Sequence, residues 1–400
     1  SGVVTTIAGS GGYYGSGYQD GIGNNARFNY PHGITTDGTN LYVADSSNNR
    51  IRQIDISTKE VETIAGDGDY TSYDGTGINS GIYYPKDIAT DGAILYVAEK
   101  YGYKIRRIDL STGEVTTFAG SGNYGLSDGR GTEASFKSPS GITIEGSDMY
   151  VADSDSYTIR KISSRTTETA GLSLHNLDDD TDVTVALSSS DEGEAVVTPA
   201  TLTFTEDNWE TAQAVTVTGI DDDDTDGNRA YKVSLSAANV LTSVPEVTTF
   251  AGGSYGYQDG SGTEAYFSYP QAVTSDGTSI YVADSDNHII RRIDISTGEV
   301  TTFAGSGDAD FYDGNGINAR FNYPAGITTD GTNLYVADSS NNRIRKIDIS
   351  TKEVSTIAGD GDYNSYDGNG TNSGINYPCL LYTSDAADEG LGVDLGGRRI

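Results

Sequence analysis

The chain is short of most residues that specialised chemistry needs. Its 400 residues include one cysteine, one methionine, one tryptophan and three histidines. A single thiol excludes an internal disulfide framework and a thiolate-built metal centre. Lysine and arginine number 25 against 58 aspartates and glutamates, a net charge of −33. Nucleic acid is not an expected partner, because backbone binding needs clustered cations. An anionic membrane surface is disfavoured for the same reason. No apolar run approaches the roughly 20 residues of a membrane span, so direct insertion is not expected. Ala-Leu-Glu-Lys stretches with a 3.6-residue period are absent, as are a phosphate loop, an HExxH pair and a nucleophile motif. Strong acidity suits a soluble, extracellular or cation-rich setting, and the expected location is outside the cell or at its surface.

What is present repeats. The segments Leu41–Asp45, Leu95–Glu99, Met149–Asp153, Ile280–Asp284 and Leu334–Asp338 share the pattern LYVAD. Each is followed by an IRxID-like run and then by VTTIAG-like elements, which begin at Val4, Val61, Val115, Val247, Val300 and Val354. The apolar runs are short, rich in Val, Ile, Tyr and Thr, and bounded by Gly, Asn, Asp or Pro, which is the signature of strands. Four strands per unit, copied in series, predict an all-β propeller in which stacked blades bury each other's faces.

The residues that carry the repeat resemble the NHL repeat family, whose units read P-x-G-I…D-G…LYVADS-x-NNRIRKID. Pro31 to Asp55 and Pro324 to Asp348 match closely. The resemblance implies a propeller and says little of function. Five blades are expected at 33–65, 87–119, 141–163 with 247–252, 272–305 and 325–358. The order of strands implies six blades by design, with Val4–Gly9 closing a sixth that is truncated. The propeller would occupy 1–166 and 247–378. Segments 25–85 and 318–378 are nearly identical; a recent duplication and an assembly error both explain this. Residues 379–400 follow no repeat and resemble translated adapter read-through, so Cys379 and the tail are expected to carry no function. The chain opens on Ser1-Gly2-Val3 without Met and reads as a fragment.

Between 167 and 246 the repeat stops. Alternating runs at Asp182–Asp191, Ala200–Thr205, Ala212–Ile220 and Arg229–Ala237 predict a small β-sandwich on the loop between the third and fourth strands of blade 3. Pro199–Trp209 and Gln213–Gly219 resemble Calx-beta-like modules. The insert holds 17 acidic residues against Arg229 and Lys232, nearly half the chain's net charge. Asp178, Asp179, Asp180 and Asp182, with Asp221, Asp222, Asp223, Asp224 and Asp226, offer the dense oxygen ligands Ca²⁺ requires. A Ca²⁺ site and a merely solvated acidic loop both stay open.

Repeated acids and bases point first to structure. Asp45 with Arg52, Asp153 with Arg160, Asp284 with Arg291 and Asp338 with Arg345 lie on adjacent antiparallel strands, where they should form ion pairs. Glu99 with Arg106 keeps the pairing. Asp20, Asp74, Asp128, Asp259, Asp313 and Asp367 each precede Gly, which reads as turn chemistry. His32 and His288 occupy different repeat positions and His175 is in the insert. The axial histidine set of the amidating lyases, enzymes that resemble this fold, is therefore not present. The interblade loops carry Tyr13, Tyr14, Tyr18, Tyr70, Tyr73, Tyr124, Tyr255, Tyr257, Phe311 and Tyr312. Tyr among Gly, Ser, Asn and Asp is the composition of recognition surfaces. The expected function is a non-enzymatic binding or adhesion scaffold for protein or glycan. A propeller lyase or hydrolase with an axial metal is the alternative.

Overall fold

The computed structural model describes residues 3–10, 16–163, 170–172, 183–189, 195–204, 213–219, 233–235 and 245–379. The chain divides into two compact units, Ser1–Ser163 with Pro245–Ile400, and Ser164–Val244. The first is a five-bladed propeller of antiparallel sheets. Blade 1 comprises Pro31–Thr36, Asn40–Asp45, Arg50–Asp55 and Glu60–Ala65, and the others repeat that order. In blade 3 the third strand Thr158–Ser163 pairs with Glu246–Gly252, Ser163 opposite Glu246, so the insert leaves from a hairpin end. The second unit contains two three-stranded sheets among its described residues.

Each blade has a fifth strand that the repeat pattern did not announce. The Gly21–Ile22 pair, and its equivalents up to Gly314–Asn315, add to the outside of the fourth strand. The Asp-Gly dipeptides thus open a strand, not a turn. The left-handed backbone falls two residues on, at Gly23, Gly77, Gly131, Gly262, Gly316 and Gly370, with φ between 49° and 56°. Val3–Val4 pairs with Gly368–Asn369, as Glu60 and Val61 pair with Ile22 and Gly21. Residues 3–10 therefore occupy a fourth-strand slot beyond blade 5. Val4 packs with Tyr335 and Ile375, and Ala8 with Ala26 and Phe28 of blade 1.

The core lies between blades. One cluster joins Ala98 and Ile105 of blade 2 to Ile142 and Val151 of blade 3; another joins Tyr281 and Ala283 of blade 4 to Ile327 and Val336 of blade 5. The innermost strands approach most closely one position into the GITTD motif. A Cβ on Gly33 would sit 2.4 Å from Asp87 Cα, and one on Gly141 would sit 2.7 Å from Ala272 Cα. Small and larger residues thus alternate around the axis: Gly33, Asp87, Gly141, Ala272, Gly326. Because the obstacle at Gly141 is backbone, Gly141→Ala should cost at least about 1 kcal/mol. The expected reading is a lower urea midpoint with an unchanged m-value. A neutral result would show that the blades can spread.

Candidate functional site at the propeller axis

The framework of the site is a set of buried arginines. The third and fourth strands of every blade shift register at the same place, between Ile51 and Arg52 in blade 1 and between Ile290 and Arg291 in blade 4. A bulge re-aims the side chain there. Arg52, Arg106, Arg160, Arg291 and Arg345 are all fully buried. Each meets an acid at the end of the second strand: Asp45 at 2.8 Å, Glu99 at 2.9 Å, Asp153 at 3.7 Å, Asp284 at 3.2 Å and Asp338 at 2.8 Å. The second partner was misread from sequence. Asp20, Asp74, Asp128, Asp259 and Asp313 pair with the same guanidiniums at 2.5–2.9 Å. They are ligands of the arginines, not turn residues. Burial pushes the Asp284 carboxyl up to about 6, against Asn287, the Ser268 amide and Arg291, which favour its charge.

The loop aromatics lie around the end of the propeller that the second-strand turns mark. Asn48, Asn287 and Asn341 tie those turns to the loops by donating to the Gly17, Gly256 and Asp310 carbonyls. Tyr18 lies under Arg50, and Phe311 under Arg343, each at 3.9 Å. Tyr73 donates to Asp67. Tyr70, Tyr257 and Tyr312 are exposed, as are Tyr124 and Tyr255. Tyr13 and Tyr14 lie outside the described residues, and so do Asp178, Asp179, Asp180, Asp182, Asp221, Asp222, Asp223, Asp224 and Asp226.

A second set of tyrosines was not singled out from sequence. Tyr30, Tyr84, Tyr269 and Tyr323 each precede the proline that opens an innermost strand, and Tyr377 precedes Pro378, all with φ between 49° and 55°. A non-Gly residue in this region costs about 1 kcal/mol or more. Amides pay part of that cost: Tyr84 N and Tyr377 N donate to the Asn49 and Asn342 side chains at 2.9 Å. His288 takes the Asn role for Tyr323 N at 3.0 Å. Aromatic contacts run inward from loop to axis. Tyr70 meets Tyr83, Tyr83 and Tyr84 meet Tyr101, and Tyr84 meets His32, with centroids 4.8–6.2 Å apart. Tyr255 reaches Tyr269 through Tyr157. The legible signal was the Tyr-Pro dipeptide, which accounts for five of the eight prolines.

Four of these rings, Tyr30, Tyr269, Tyr323 and Tyr377, line a funnel. Its mouth, about 630 Å³, is lined by Tyr30, Tyr269, Tyr323, Lys100, Asp155 and Ser340 among others. It shares His32, Lys86, Gln271, Ala325 and Cys379 with an inner cavity of about 240 Å³ along the innermost strands. His32, Lys86, Gln271 and Ala325 follow the strand-opening prolines, and Cys379 follows Pro378. Burial, aided by Lys86, holds His32 well below its ordinary value. His32 Nδ1 lies 2.9 Å from the Tyr30 carbonyl, which can only accept, so that nitrogen carries the proton. Burial brings the Lys86 ammonium down to about 8. Burial raises the Asp87 carboxyl to about 7, although it accepts the Ile88 and Ile142 amides at 2.9 Å. Cys379 Sγ lies 3.6 Å from the Pro31 carbonyl. Among the described residues, no three His, Cys, Asp or Glu side chains converge as a metal site, and no helix is long and apolar enough to cross a membrane.

A model described as the NHL repeat matches residues 28–54 and 321–347. The chain is 28% identical over 355 residues to Protein SUPPRESSOR OF QUENCHING 1, chloroplastic, of Arabidopsis thaliana, covering 85% of this chain and 27% of that protein. It is 27% identical to NHL repeat-containing protein 2 of Homo sapiens, covering 85% and 42%. The chain thus spans less than half the length of these curated relatives. Among solved structures, an auxiliary nutrient binding protein from Bacteroides ovatus superposes with a TM-score of 0.54 at 12% identity, over 95% of this chain and 71% of that one. The chain carries NHL repeats on a five-bladed, all-β propeller.

Proposed function

We propose that this NHL-repeat propeller is a non-enzymatic binding scaffold that works outside the cell or at its surface and presents its Tyr-rich end to a protein or glycan. The observation that carries the reading is the exposure of Tyr70, Tyr124, Tyr255, Tyr257 and Tyr312 on the interblade loops, with Tyr255 joined through Tyr157 to Tyr269 at a concave mouth. Tyrosine supplies large contact area at little entropic cost and dominates binding energy where it is fully covered. Arrayed glycans and matrix proteins test it. A ligand is expected whose binding falls at least roughly tenfold in a Tyr70→Ser/Tyr257→Ser variant of unchanged melting temperature. Ligands that ignore this variant would count against the face.

The insert, on its resemblance to Calx-beta-like modules, is proposed to bind Ca²⁺ through its two aspartate runs. Calorimetric titration of the full chain should then give saturable heat at or below millimolar Ca²⁺. A flat titration would sink the assignment.

A further inference from the structure

The five blades are near-copies, so each position shows what the framework itself needs. Blade 2 departs from its siblings at the funnel. Where blades 1, 3, 4 and 5 carry Ser46, Ser154, Ser285 and Ser339, blade 2 carries Lys100. Ser46, Ser154 and Ser285 donate to the carbonyl of the proline that opens the next innermost strand, Pro85, Pro270 and Pro324, and Ser339 donates likewise to Pro378. Lysine at that position exchanges an interblade hydrogen bond for a cation at the mouth. One residue after the strand-opening proline, blade 2 places Lys86, where its siblings have His32, Ser140, Gln271 and Ala325. Among the described residues no carboxylate pairs with Lys86 or Lys100; the Lys86 ammonium has no hydrogen-bond partner, and the Lys100 ammonium lies 5.7 Å from the Tyr101 ring. The framework thus forgoes interactions to hold two cations in one cavity of an otherwise strongly acidic protein. Such an arrangement is costly unless something anionic joins it.

We propose that the axial funnel is a receptor for a sugar acid, with Lys86 and Lys100 receiving the carboxylate while Tyr269 and Tyr323 flank the ring. This deepens the glycan branch of the proposed function and rests on it. The volume of the mouth, about 630 Å³, suits one or two sugar rings. Gln271 and Asp155, which line the same mouth, offer a donor and an acceptor to hydroxyls. His32, held neutral by burial, leaves Lys86 and Lys100 as the cations that face the mouth. An acidic peptide fits less well, because peptides dock along sheet edges or apolar grooves and the funnel presents Lys86, Lys100, Asp155 and Gln271 side chains instead. The protein's overall negative field is screened beyond about 8 Å at physiological salt, so the two local cations dominate at contact.

Calorimetric titration of the full chain with galacturonate, trigalacturonate, galactose and inorganic phosphate tests this. Galacturonate or its trimer should bind, galactose at least roughly tenfold more weakly. Lys86→Met and Lys100→Met should each weaken binding by a similar factor while the chain stays folded by circular dichroism. Binding should fall with added salt, and fall again as the pH rises through about 8, where the Lys86 ammonium titrates. Equal affinity for galactose, or lysine variants that bind as well as the parent, would overturn the proposal. So would phosphate binding as tightly as galacturonate, or no acidic sugar binding at all. A neutral glycan that binds both lysine variants but not the Tyr70→Ser/Tyr257→Ser chain would sink this inference and leave the scaffold reading standing. Failure of every array ligand would sink the scaffold reading itself.

Discussion

Replacing Arg291 by Met is expected to destabilise the propeller by about 3–5 kcal/mol, the cost of breaking one side of a buried ion pair. The guanidinium touches Asp284 at 3.2 Å and Asp259 at 2.8 Å, and it donates to the Tyr266 and Gln258 carbonyls at 2.8 and 3.0 Å. Its plane lies 5.1 Å from the Phe267 ring. Removal leaves Asp284 fully buried without its counter-ion. Asp259, half exposed, can turn to water, so most of the cost falls on Asp284. Arg291→Lys should recover less than half of the loss, because an ammonium cannot span two acids and two carbonyls in one plane. Urea unfolding reads both variants. A Met variant within about 1 kcal/mol of the parent would show that the arginines pack the blades and do not lock them. The Arg52 and Arg345 variants should behave alike, and effects at separated blades should add.

Lys86→Met is expected to have the opposite sign and to raise stability at pH 7 by about 1–3 kcal/mol. An unpaired ammonium inside the funnel is disfavoured by burial, which lowers its titration point to about 8, with Lys100 acting in the same direction and Asp87 and Cys379 against it. Neutral His32 lines the same cavity. A lysine depressed in the folded state contributes its full stability only above its unfolded value near 10.5, and loses it as the pH falls through about 8. At pH 7 the parent carries the whole penalty and the variant none. The gap between them should shrink as the pH is raised from 8 towards 10.5. Thermal unfolding of both proteins across that range measures it, with the difference between them cancelling other alkaline titrations. A variant that is less stable at pH 7 would refute the cost assigned to this lysine. Paired with the predicted loss of sugar-acid binding, the gain would mark Lys86 as held for recognition at the expense of stability.

The strands and their order were legible because they depend on local alternation and on turn residues within one repeat. Asp284 and Arg291 could be paired from sequence because adjacent strands place residues seven apart side by side. The reach of Asp259 to the same arginine, 32 residues away, was not legible, because it depends on a short outer strand whose two residues carry no periodicity. The Asp-Gly pattern had an adequate local explanation, and the local explanation was wrong.

The convergence at the axis lay further out of reach. Lys86 and Gln271 stand far apart in the chain and meet only because the blades close around a common centre. No periodicity within a blade reports what faces it across a cavity. By itself, the sequence determined the repeating unit, the strand that interrupts for the insert, and the acids and bases that lock neighbouring strands, since each is written in residues close along the chain. Only the tertiary structure decided which departures from the repeat share one space: Lys86 and Lys100 differ from their siblings at positions that look unrelated in the repeat, and ring packing brings both to the same funnel.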